Sequence, residues 1–97
     1  MEVQMSKYEI VFKALSDITR LNILRELAKQ DSICVCDLVE NFDIPQSKLS
    51  YHLKMLLDSN LISKEREGKW NYYKINKNEL KKYISKEAMC DLYGNDK

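Results

Sequence analysis

Residues 36–75 read CDLVENFDIPQSKLSYHLKMLLDSNLISKEREGKWNYYKI. The residue before a proline avoids the helical region, so Asp43-Ile44-Pro45 ends a short helix that begins near Cys36 or Asp37 and runs to Phe42. Pro45 lacks only an N–H that the first turn of a helix would leave unpaired, so a second helix is expected to run to about Ser59. Leu49, Leu53, Leu56 and Leu57 recur at helical spacing and form its buried face. Beyond it, residues 62–66 and 70–75 are rich in strand formers, and Gly68 between them supplies the positive φ of a tight turn. Two helices joined by a short turn and followed by a β-hairpin describe a winged helix. The helix-turn-helix is thus expected at about 36–59 and the wing at about 61–75.

Working outward, Tyr8, Val11, Phe12 and Leu15 form one face of a first helix, and Asp17 is placed to cap a second. Leu21, Leu24, Leu27 and Ala28 line that second helix, which fades near Gln30. At the other end, Leu80, Tyr83, Ile84 and Ala88 predict one amphipathic helix over about 79–92, which Gly94 can terminate. The expected architecture is mainly α with a β-hairpin. Ninety-seven residues allow one domain, 1–97, with little core to spare, so pairing with a second copy is a natural way to bury more apolar surface.

Composition narrows the function. Hydrophobic residues make up 44% and charged residues 32%, and no apolar run approaches the roughly 20 residues of a membrane span. Residues 1–7 show no basic region leading into an apolar run, so no secretion signal is expected. Three cysteines, two of them one residue apart, argue against a disulfide framework and for a cytoplasmic protein with reduced thiols. One histidine and no Gly-rich phosphate loop argue against an enzyme, and no cofactor is required. Net charge is only +1, but it is unevenly spread. Residues 31–43 carry four acids and no base, whereas residues 64–77 carry five bases against two acids. Basic charge gathered at a wing is the footprint of a DNA binder.

The outward side of the helix after Pro45 should show Gln46, Ser47, Lys48, Ser50, Tyr51 and Lys54. These types hydrogen-bond base edges or phosphates, and helix-turn-helix geometry places this helix in the major groove of double-stranded DNA. His52 is ambiguous: it is either a packed histidine or a phosphate donor. Arg66 and Lys69 flank the hairpin tip, within reach of phosphates or the minor groove. Along the second strand Tyr73 and Ile75 are expected to face the core, and Trp70 and Tyr72 the outside. A winged helix used for protein contact instead would not need Lys48, Arg66 and Lys69 on one surface.

Cys34 and Cys36 are soft donors suited to As(III), Sb(III) or another thiophilic ion. Both in a helix, they would point about 200° apart. Both in a strand, they would point to opposite sides. On that geometry one ion reaches both only if the start of the helix is unwound or bent, so ligand binding and DNA-competent geometry would compete. A reversible thiol oxidation is the alternative use of the pair. Cys90, on the last helix, is a candidate third ligand or a packed interface residue.

Three further stretches resemble the ArsR family: residues 14–24, ALSDITRLNIL; residues 47–53, SKLSYHL; and Gly68-Lys69-Trp70 followed by Tyr73. Ile33-Cys34-Val35-Cys36-Asp37-Leu38 is similar to the metalloid-sensing box of its arsenic-responsive branch. The resemblance implies a dimer packed through the first and last helices, an inverted-repeat operator, and an inducer that releases the repressor. Two departures stand out. Some arsenic sensors carry a further Cys where this chain has Val39, and many relatives have Arg in place of Tyr51. A four-thiolate site is not expected, since residues 1–17 hold no Cys, nor a zinc site on the last helix, since residues 79–97 hold no His.

Overall fold

Capping groups and apolar stripes set most element boundaries. The structure, a computed structural model, describes residues 5–94. Helix α1 (Met5–Leu15) is followed by α2 (Ile18–Lys29), whose N-cap Asp17 accepts the Arg20 N–H at 3.1 Å, satisfying one of the orphan donors of the first turn. A two-residue strand β1 (Ile33–Cys34) leads directly into α3 (Val35–Asn41), and α4 (Gln46–Asp58) follows with Pro45 at its N-cap. Strands β2 (Ile62–Glu67) and β3 (Trp70–Ile75) form the wing.

The end of α4 is set by a residue that periodicity does not show. Asn60 adopts φ 66°, the Leu61 N–H reaches back to Leu56 O at 3.1 Å, and the Asn60 N–H reaches Leu57 O at 2.9 Å. This is the Schellman arrangement, with Asn in the left-handed position that glycine usually fills. It turns the chain straight into β2. Glu67 then pairs with Trp70, leaving Gly68 (φ 64°) and Lys69 as the two-residue turn. Gly first with positive φ is the type II′ pattern, whose twist suits a hairpin.

The sheet has three strands rather than two. Strand β3 is central, in the order β1-β3-β2, all antiparallel, with Ile33 opposite Tyr73 and Cys34 opposite Tyr72. Two residues are too few to show an alternating pattern, which is why the hairpin alone was expected. Along β3, Tyr73 is buried, Trp70 is exposed, and Tyr72 and Ile75 are half-buried.

The single helix expected over 79–92 is in fact two. Helix α5 (Lys77–Leu80) ends in a turn, and α6 (Lys86–Leu92) begins afresh, with the Ser85 Oγ accepting the Ala88 N–H at 3.0 Å. A serine side chain competes with the backbone for that N–H, so it starts a helix more readily than it continues one. Gly94 follows α6 with φ 63°.

One core unites these elements. It is built from Val11 and Ala14 of α1, Ile23, Leu24 and Leu27 of α2, Ile33, Leu38, the leucines of α4, Ile62, Tyr73 and Leu80. Tyr8, Phe12 and Tyr83 form an aromatic cluster at its edge, with ring centroids 6.0–6.3 Å apart. Phe12 nevertheless keeps 52% of its surface exposed, beside exposed Met5 and Ile10 on α1. Among the described residues, no helix is long and apolar enough to cross a membrane.

Candidate functional site

Leu49, Leu53 and Leu56 are buried, and so the opposite side of α4 faces outward. Gln46, Ser47, Lys48, Ser50, Tyr51 and Lys54 are all exposed, with Tyr51 at 56%. Lys54 reaches Asp58 at 3.2 Å, an exposed i,i+4 pair of small energetic weight that a phosphate can displace. On the wing, Arg66 and Lys69 are exposed. The Arg66 Nε donates to Gly68 O at 3.0 Å and braces the turn, while the Lys69 Nζ lies 6.0 Å from the centre of the Trp70 ring.

His52 does not belong to this outward set. It is 5% exposed, and its Nδ1 lies 2.9 Å from the Nη1 of Arg20, itself 6% exposed. A guanidinium only donates, so Nδ1 accepts and the proton of the neutral ring sits on Nε2. His52 falls three residues after Leu49 and four before Leu56, on the leucine stripe, and that spacing was the signal for burial. Its partner, 32 residues earlier, left no signal. Burial lowers the His52 pKa first; Arg20 and Lys48 lower it further, and the Asp17 carboxylate opposes them.

The cysteines occupy a junction that neither regular geometry describes. Cys34 has extended backbone (φ −67°, ψ 144°) and is the N-cap of α3, its Sγ accepting the Cys36 N–H at 3.4 Å. Cys36 lies in the first helical turn. One extended and one helical residue make a bend at the start of α3 that neither uniform backbone has, and it brings the Cys34 sulfur within 3.4 Å of the Cys36 nitrogen. Cys34 is buried and Cys36 is exposed. A hydrogen bond with Cys34 pushes the Cys36 thiol pKa up; desolvation and the charges of Cys34 and Asp37 add to this, and a backbone N–H of Asp37 opposes it.

Cys34 also stands across the sheet from Tyr72, so the thiols adjoin the wing's central strand as well as the first helix of the helix-turn-helix. Cys90 is exposed on α6. Among the described residues, no three His, Cys, Asp or Glu side chains form a metal-holding cluster.

A two-helix reading unit whose second helix exposes polar side chains, followed by a basic wing, defines a winged helix-turn-helix transcriptional regulator. The description "Bacterial regulatory protein, arsR family" matches residues 17–64. The chain is 55% identical over 84 residues to the arsenical resistance operon repressor of Bacillus subtilis, covering 87% of this chain and 80% of that one. It is 40% identical over 83 residues to an uncharacterized HTH-type transcriptional regulator of Methanocaldococcus jannaschii, covering 82% and 93%. HlyU from Vibrio cholerae superposes with a TM-score of 0.76 at 29% identity, over 98% of this chain and all of that one. The chain belongs to the ArsR family. It is a DNA-binding transcriptional repressor, not an enzyme.

Proposed function

We propose that the chain is a homodimeric repressor that leaves an inverted-repeat operator when an As(III) or Sb(III) species binds Cys34 and Cys36. The observation that carries this reading is the pair of adjoining thiols at the N-terminus of α3. Relatives that are arsenical resistance operon repressors in Bacillus subtilis and Escherichia coli support the same ligand class. Gln46, Ser47, Lys48, Ser50, Tyr51 and Lys54 contact the major groove, and Arg66 and Lys69 contact the backbone beside it. Met5, Tyr8, Ile10, Phe12 and Tyr83 meet the second copy, and the setting is the cytoplasm, where thiols stay reduced.

The chemistry is ligand exchange. Arsenous acid trades an As–O bond for an As–S bond at each thiol, and each thiol proton leaves with a hydroxide as water. Arsenic stays trivalent and keeps one oxygen ligand. Cys34 belongs at once to the cap of α3 and to the strand paired with the wing, so a ligand that displaces its sulfur disturbs both DNA-reading elements. A coupling of about 1–3 kcal/mol suffices for release.

A thiol-oxidation switch at the same pair is the second reading, favoured by the exposure of the Cys36 thiol next to the Cys34 that caps the same helix. Hydrogen peroxide would oxidise them to a disulfide and be reduced to water.

Operator release from a labelled upstream duplex tests both. Arsenite is expected to release the wild type and to fail on Cys34→Ser and Cys36→Ser, while Cys90→Ser responds as wild type. Release by peroxide that dithiothreitol reverses, without any arsenite response, selects the redox reading. Equal behaviour of wild type and both serine variants under arsenite and peroxide refutes sensing at this pair.

A further inference from the structure

Arg20 is a buried cation at the start of α2, and every hydrogen bond of its guanidinium leads out of that helix. The Nε donates to Ala14 O at 2.9 Å, Nη2 to Lys13 O at 3.1 Å, and Nη1 to the His52 Nδ1 at 2.9 Å. The first two acceptors are carbonyls of the last turn of α1, where a cation is favoured by the helix dipole as well. The third lies in the middle of α4. One side chain therefore joins the end of α1, the start of α2 and the helix whose outer face reads DNA.

We propose that Arg20 and His52 form a positioning clamp that sets the angle of α4 against α1 and α2, and that the clamp is closed only while His52 is neutral. Neither residue touches DNA in this reading; both act through α4. The inference rests on α4 as the DNA-reading helix and is independent of the thiol site.

The clamp has a second position built in. The Asp17 Oδ2 lies 3.9 Å from the same Nδ1. Protonation turns Nδ1 from an acceptor into a donor. Two donors then face each other across the Arg20 contact, and the carboxylate becomes the better partner. Asp17 already caps α2 by accepting the Arg20 N–H, so turning toward His52 draws on that cap. The charges facing His52 are Arg20 and Asp17 from α2 and Lys48 from one turn earlier on α4. Helix α1 enters through the carbonyls of Lys13 and Ala14, which Arg20 holds.

The composition makes the test clean. His52 is the chain's only histidine, so titration below pH 7 and above the carboxylate range reports on it nearly alone. Anisotropy of the full chain on a labelled upstream duplex is measured across this window at fixed ionic strength. Circular dichroism confirms the folded fraction. A histidine that touches phosphate would bind more tightly when charged. The clamp requires the opposite sign: wild-type affinity falls roughly fivefold or more toward acid. His52→Asn places an amide oxygen near the position of Nδ1 and does not titrate, so its affinity should stay near the neutral wild-type value across the window. Affinity that rises with acid, or does not change in wild type, overturns the clamp. So does an Asn variant that follows the wild-type profile. If His52→Asn fails to fold, the sign of the wild-type change alone decides.

Discussion

Replacing Cys34 and Cys36 in turn separates the capping of α3 from the proposed sensing by the thiol pair. Cys34 is 6% exposed and its sulfur caps α3, whereas Cys36 is exposed and its side chain caps nothing. Removing an oxygen N-cap costs about 0.5–2 kcal/mol, and sulfur is a weaker acceptor, so the cap at Cys34 belongs near 0.5–1 kcal/mol. Loss of the buried sulfur adds about 0.8 kcal/mol, the scale of one buried methylene. Cys34→Ala should therefore cost about 1–2 kcal/mol, or roughly 4–16 °C in Tm for a chain of this length. Cys34→Ser loses similar burial but gains a stronger cap, and should stay within about 1 kcal/mol of wild type. Cys36→Ala should stay within about 0.5 kcal/mol, as exposed positions do. Thermal and urea unfolding in dithiothreitol, without arsenite, measure all three. Equal costs for alanine at 34 and at 36 would refute the cap. A serine at 34 as costly as alanine would show that the hydroxyl does not replace the sulfur, and would weaken Cys34→Ser as a probe of sensing.

Three other outcomes are expected. Lys69→Ala should flatten the slope of log K against log salt by about 0.9 with little change in sequence preference, whereas an unchanged slope removes Lys69 from the phosphate contacts. Tyr83→Glu puts a carboxylate into the cluster with Tyr8 and Phe12 and should yield monomers that no longer bind DNA; light scattering of wild type as a monomer at micromolar concentration would defeat the dimer. His52 favours its neutral form in the fold, so its contribution to stability is full above its ordinary pKa of 6.5 and is lost as pH falls below that toward the folded value. Wild type should lose Tm across this range more than His52→Asn does.

Much of this molecule is written in short-range patterns. Asp17 signals the start of α2, the leucines of α4 select its buried side and so expose Gln46 through Lys54 on the other, and Gly68 marks the wing turn. Each depends on residues within a turn or two, where backbone preference and period suffice. The break at Ser85 is equally local, but apolar spacing runs through it, and periodicity does not register which N–H a serine hydroxyl caps. Other features needed the folded chain. Strand β1 exists because β3 lies beside it, not because two residues prefer to be extended. The thiols adjoin because that pairing holds Cys34 extended while α3 begins at the next residue. His52 could be placed on the buried stripe from its spacing alone, but not given a partner. Arg20 reaches it only because α2 packs across α4, and a buried imidazole's hydrogen bond is chosen by what the tertiary structure leaves within 3 Å.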